Sequence, residues 1–166
     1  MKPFKILALF SGLGLSFFAC DSSQNQKNAA NVQLVENYVK SVEAMDFDAM
    51  NTYLDESYLG VGPSFGDSIN KTQAVESWKY NLENLYQKIE YTKSKFAAVT
   101  IQEGDAQGDW VANWAELTIT YQDGKSVILL ANSNYKVENG KIVQSITFYN
   151  EADALRQLGY GFFPLE

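Results

Sequence analysis

Residues 109–150 read DWVANWAELTITYQDGKSVILLANSNYKVENGKIVQSITFYN, and their apolar residues recur at every second position between two short turns. A period of two is the signature of strands that bury one face. The dipeptides Asp123-Gly124 and Asn139-Gly140 supply the positive-φ residues that tight hairpins require. Three strands, at Asp109–Gln122, Lys125–Glu138 and Lys141–Asn150, are therefore expected to form an antiparallel meander. Working back towards the N-terminus, Glu103-Gly104-Asp105 to Gly108 is a further turn, and Glu90–Gln102 continues the alternation as a fourth strand.

Before Ile89 the period is helical. Val75, Trp78, Leu82, Leu85 and Ile89 fall at intervals of three and four, behind a start at Asn70 with Gln73 three residues on, the pattern of a capping box. Tyr58–Gly62 reads as a short strand stopped by Pro63 and the polar loop Ser64–Ser68. Asp46 or Asp48 caps a short helix bearing Phe47, Met50, Tyr53 and Leu54, and Val32, Val35, Val39 and Val42 with Tyr38 mark a first helix to about Met45. A last helical turn, Ala152–Leu158, ends at Gly159. Helices followed by a long antiparallel meander imply an α+β domain, a cone-shaped barrel in which a curved antiparallel sheet wraps three N-terminal helices.

The chain has 166 residues, 46% hydrophobic and 20% charged, which suits one core and one domain. Its first residues have a different character. Lys2 and Lys5 precede an uncharged run, Ile6–Ala19, that ends at Cys20, the layout of a secretory signal. Leu15 to Cys20 resembles a bacterial lipobox, with Phe17 in place of the usual aliphatic residue. Cys20 is the single cysteine, so acylation gives it a role that an intrachain disulfide cannot. The expected organisation is a lipoprotein signal at 1–19, an acylated Cys20 opening a disordered tether over 20–31, a folded domain at 32–159 and a tail at 160–166. That places the protein in a bacterial cell envelope, attached to a membrane through Cys20.

Formal charge is −7, and loss of Lys2 and Lys5 with the leader takes it to −9. The lysines are scattered, so nucleic acid is excluded as a partner class. With no histidine and one cysteine, zinc and copper sites lack their usual ligands, and no cofactor is called for. Asp105 and Asp109 flank a glycine loop at which Ca²⁺ is conceivable, but turn chemistry explains them without a metal.

Three stretches carry a family resemblance: Tyr38-Val39-Lys40-Ser41-Val42 leading into Asp46-Phe47-Asp48, Val137-Glu138-Asn139-Gly140-Lys141-Ile142-Val143, and Leu155-Arg156-Gln157-Leu158-Gly159. Together, over Val32 to Gly159, they resemble the nuclear transport factor 2-like superfamily, which includes ketosteroid isomerases and SnoaL-like polyketide cyclases. The resemblance implies that Tyr38 stands where the isomerases hold a tyrosine donor and that Ser133 falls at the second donor. The base position, just before Pro63, is Gly62. Asn150 stands where many relatives carry an acidic residue, and an amide is no general base. The cavity is implied; the isomerase chemistry is not.

Strand alternation gives an inward face of Val111, Asn113, Ala115, Leu117 and Ile119, then Val127, Leu129, Ala131, Ser133 and Tyr135, then Ile142, Gln144, Ile146, Phe148 and Asn150. Asn113, Ser133, Tyr135, Gln144 and Asn150 are thus candidate polar groups in an apolar pocket, roofed by Trp78, Tyr38, Tyr53 and Tyr58. For each, a plainer role stands beside this one: backbone pairing for the polar residues, core packing for the rings. Trp110 and Trp114 fall on the opposite face, a plausible dimer surface. Glu116 shares their face; only a reversed strand would make it an inward base with a raised pKa, and a solvated strand glutamate is the simpler alternative. The leading expectation is a non-enzymatic, lipid-anchored domain binding a small apolar ligand, as a homodimer. The alternatives are a cyclase or isomerase acting on a small carbonyl compound with Tyr38 and Glu116, and a docking module built on Trp110 and Trp114.

Overall fold

The computed structural model describes residues 18–163. Residues 1–17, which hold most of the expected signal, and 164–166 lie outside them, as does the side chain of Cys20, the expected acylation site. The order is α1 (Phe18–Glu43), α2 (Phe47–Tyr53), β1 (Leu54–Val61), β2 (Ser68–Asn70), α3 (Lys71–Asn84), β3 (Tyr86–Ile101), β4 (Gly108–Tyr121), β5 (Ser126–Glu138), β6 (Lys141–Phe148) and α4 (Glu151–Gln157). This is the expected α+β cone. No helix among the described residues is long and apolar enough to cross a membrane.

The caps form where the sequence puts them. Asn70 accepts from the Gln73 amide while the Gln73 side chain accepts from the Asn70 amide, and Asp46 accepts from the Ala49 amide. Each satisfies amides that a helix start otherwise leaves unpaired. α3 ends at Asn84, five residues before Ile89, because Tyr86–Ile89 pairs with β4.

β3 to β6 form the meander. The sheet departs from the expected all-antiparallel barrel: its order is β2-β1-β6-β5-β4-β3, β1 lies parallel to β6, and it does not close. Parallel pairing of segments some ninety residues apart leaves no turn in the sequence to announce it. The core lies between the concave face and the helices, with Val35, Val42, Val111, Val127 and Ile142 fully enclosed.

A second correction concerns the tether. α1 begins at Phe18, so 20–31 is helical and continuous with the first helix. The segment has no apolar stripe, and polar contacts with the far end of the sheet hold it: Lys27 pairs with Asp109 at 2.5 Å, Gln24 donates to Thr100 at 3.0 Å, and Thr100 donates to Asp109 at 2.6 Å. Tertiary docking overrides weak local pattern here.

β6 supplies the third. Lys136 pairs with Gln144 but Val137 with Ile142, so Val143 is an extra residue, a β-bulge. Ile142 stays inward, and every later residue is turned to the face opposite the expected one. Ser145 and Thr147 face in; Gln144, Ile146 and Phe148 do not.

Candidate functional site

A cavity of about 430 Å³ lies between the concave face of the sheet, Tyr38 and Val42 of α1, Trp78 of α3 and Leu155 and Leu158 of α4. That is within the range of small-molecule sites. Seven of the ten tyrosines line it, with Trp78. Their rings brace one another: Tyr38 meets Tyr135 edge-on with centroids 5.7 Å apart, and Tyr86 meets Tyr121 at 5.5 Å. The apolar wall comes from Leu117, Ile119, Leu129 and Ala131.

Hydroxyls make up most of the polar side, with Asn81 and Glu151 beside them. Tyr58 Oη and Ser145 Oγ are 2.7 Å apart, and Ser133 Oγ and Thr147 Oγ1 are 3.1 Å apart. Burial holds the Tyr38 phenol well above its ordinary pKa, with Tyr58, Tyr135 and Tyr91 adding to the rise and Trp78 opposing it. Burial likewise raises Tyr58, Tyr91 and Tyr135, and pushes Tyr86 up to about 12. A phenol raised this way stays neutral and acts as a donor, never as a base near neutrality.

Of the residues singled out from the sequence, Tyr38, Tyr58, Trp78, Ser133 and Tyr135 come together on the cavity. Tyr53 packs edge-on behind Tyr38 at 6.3 Å instead of lining it. Asn113 is inward and buried, but its Nδ2 donates to the Lys95 carbonyl at 3.5 Å, beside the bulge in β3. Gln144 is turned away by the β6 bulge, and Asn150 caps α4 by accepting from the Asp153 amide at 3.1 Å. Glu116 is on the outer face, paired with Lys93 at 2.6 Å, and so is no inward base.

Gly62 borders the cavity with φ +91°, and a Cβ there would stand 2.5 Å from the Thr147 carbonyl oxygen. Backbone fills the space that a carboxylate-bearing side chain would need. Asp109 is committed to Lys27 and Thr100, and no group of three His, Cys, Asp or Glu is arranged for a metal ion among the described residues.

The outer face differs from expectation at Trp110. It is buried, its indole N–H donates to the Ala106 carbonyl at 2.8 Å, and its cross-strand neighbour Lys136 lies over Gly108. Trp114 is half-exposed, next to Leu130 (80% exposed) and Phe148 (55%).

Sequence reading missed Tyr86, Tyr91, Tyr121, Tyr149, Ser145 and Thr147 as lining residues. Tyr121 continues the alternation of Leu117 and Ile119 and was findable. Ser145, Thr147 and Tyr149 are hidden by the bulge, and Tyr86 by the overlong helix.

The open, curved sheet wrapped on helices is a fold that the chain shares with solved structures of SnoaL-like polyketide cyclases and nuclear transport factor 2-like proteins. No family model and no curated protein matches the chain. Solved structures do. A candidate polyketide cyclase from Xanthomonas campestris pv. campestris has a TM-score of 0.67 at 15% identity, covering 80% of this chain and 98% of its own. An LEH-like epoxide hydrolase from M. tuberculosis has a TM-score of 0.63 at 12% identity, covering 80% and 91%. A nuclear transport factor 2-like protein from Burkholderia xenovorans has a TM-score of 0.60 at 14% identity, covering 78% and 96%. At such identities the likeness is one of fold, and activity has to be argued from the site.

Proposed function

We propose that the chain is a non-enzymatic, lipid-anchored domain that holds a small hydrophobic molecule in its cone. The observation that carries this reading is the cavity itself: about 430 Å³, walled mainly by aromatic rings, aliphatic side chains and hydroxyls. The two positions considered for a base argue against the cyclase or isomerase alternative. At Gly62 a side chain meets backbone, and Glu116 is on the other side of the sheet. Proton abstraction needs an acceptor within reach of the substrate, and the one carboxylate among the described lining residues, Glu151, is exposed at the rim and accepts from Ser64 Oγ at 2.8 Å.

Anchoring is through acylated Cys20, which places the domain in the bacterial cell envelope; the charged start, the uncharged run and the lone cysteine support this. The domain pairs with a second copy through its outer face, where Trp114, Leu130 and Phe148 leave apolar surface in water.

Titration with Nile red, an uncharged apolar fluorophore, tests ligand holding. Saturable binding that Ala131→Phe abolishes, by filling the cavity, and that Leu130→Ser on the outer face leaves intact is the expected result. Binding lost with Leu130→Ser and kept with Ala131→Phe would move the ligand to the outer face and overturn the reading.

A further inference from the structure

The start of α1 is tied to one end of the sheet. Lys27 Nζ lies 2.5 Å from the buried Asp109 carboxylate, and Gln24 Nε2 donates to Thr100 Oγ1 at 3.0 Å. Thr100 and Asp109 face each other across β3 and β4, at the base of the cone, beside the turn at 102–107. Near its other end α1 meets the sheet again, where the Glu43 carboxylate accepts from the Tyr91 amide at 2.7 Å. The two ties span matching lengths. Helix from Gln24 to Glu43 rises about 28 Å, and β3 from Tyr91 to Thr100 covers about 30 Å. α1 therefore lies along β3 as a strut, and its first turns, back to Phe18, point out of the base.

The cavity occupies the opposite half of the cone. On β4 its lining begins at Leu117 and reaches Tyr121, and α4 borders it, with exposed Glu151 and Leu155 at the mouth. Gln157 fastens α4 there by accepting from the Ile128 amide and donating to the Ile128 carbonyl, both at 2.9 Å. The half nearer Asp109 is filled by Val35, Val111, Val137 and Ile142. From Asp109 to Tyr121 the strand runs about 40 Å. Cys20 precedes Gln24 by about 6 Å of helix, and by no more than about 14 Å were the chain fully extended. A lipid on Cys20 thus sits at the base and cannot reach the mouth while Lys27 holds Asp109.

We propose that α1 is a strut that stands the cone base-down on the bilayer, with α4 and the cavity mouth turned to the aqueous space. The inference rests on acylation of Cys20 and adds the orientation that the docked helix imposes. A molecule then enters the cavity from water and not from the leaflet that holds the anchor. Lys27 is a positioning residue: it does not line the cavity, and its pairing with Asp109 decides where the cavity points.

The test is energy transfer from the lipidated full chain to rhodamine-headgroup lipid in phosphatidylcholine vesicles, whose zwitterionic surface leaves charge attraction out. With the Cys20 sulfur lipidated and no second cysteine in the chain, a donor dye is attached through Asp105→Cys at the base or Lys125→Cys beside Tyr121. Transfer from position 105 is expected to be at least about twice that from position 125, given about 40 Å between the two ends. Lys27→Glu sets a second carboxylate against Asp109 and is expected to make the two positions equal, with near-ultraviolet circular dichroism unchanged; Lys27→Arg keeps them apart. Equal transfer in the otherwise wild-type chain, or stronger transfer from position 125, overturns the proposal, as does a difference that survives Lys27→Glu. Protein that does not float with the vesicles overturns anchoring itself, and the orientation with it.

Discussion

Replacing Gly62 with alanine probes the point on which the non-catalytic reading turns. Gly62 has φ +91°, and the added Cβ would meet the Thr147 carbonyl oxygen at 2.5 Å, nearly an ångström inside ordinary contact. The positive φ alone costs about 1–2 kcal/mol for a residue with a side chain. Forcing a backbone oxygen aside adds about 1–3 kcal/mol, as overpacking does elsewhere. Gly66 separates the two effects: its φ is +89°, and nothing lies within 4 Å of its Cβ position. In urea denaturation, Gly66→Ala should lose about 1–2 kcal/mol from its dihedral angle alone. Gly62→Ala should lose about 1–3 kcal/mol more than Gly66→Ala. A difference below about 0.5 kcal/mol would mean that β6 yields easily at Thr147. Gly62 would then not exclude a catalytic carboxylate.

Asp109 is held below its ordinary pKa, first by hydrogen bonding from Lys27 and then by that from Thr100. A lowered carboxylate contributes stability above its unfolded pKa and loses it as pH falls through the folded value. Asp109→Asn should therefore speed hydrogen exchange over Gln24–Ala30 near neutrality, and the difference from wild type should begin to shrink as pH falls below about 4 and vanish only below the lowered folded value of Asp109. Tyr38, Tyr58, Tyr91 and Tyr135 are raised, Tyr86 to about 12, each mainly by burial. A raised phenol contributes stability that is whole below about pH 10 and lost as pH rises through the folded value. Ultraviolet titration should find these rings un-ionised until well above that pH, with unfolding following their ionisation; five rings titrating together near pH 10 in the folded protein would contradict the neutral cavity. Ile142→Ala, at a fully buried position, should cost about 2–5 kcal/mol by chemical denaturation. Sedimentation should show Leu130→Asp weakening self-association without lowering stability, and an unchanged dimer would remove the outer face from the account.

What the sequence disclosed about the fold follows the range of the interactions. The Asn70–Gln73 capping box, the Asp123-Gly124 and Asn139-Gly140 hairpins and the Val32–Val42 stripe act over a few residues, and all are found where their spacing implies. The parallel pairing of β1 with β6 and the docking of Gln24 and Lys27 on Asp109 connect segments more than eighty residues apart, and nothing local encodes them. The site was legible to the same extent. Tyr38, Trp78 and Ser133 follow from helix and strand periods, but one extra residue, Val143, reversed the last strand and exchanged Gln144 and Asn150 for Ser145 and Thr147. A strand's faces can be read from its sequence only as far as its first bulge.

On the proposed function, the cone carries a small uncharged molecule. Native mass spectrometry of the protein, purified gently from its own host, tests this most directly. The expected result is a single stoichiometric adduct that extracts into organic solvent, has no ionised group near pH 7, and is lost from the Trp78→Ala variant. An adduct-free mass from every preparation, or an adduct that is anionic and persists in Trp78→Ala, would contradict it.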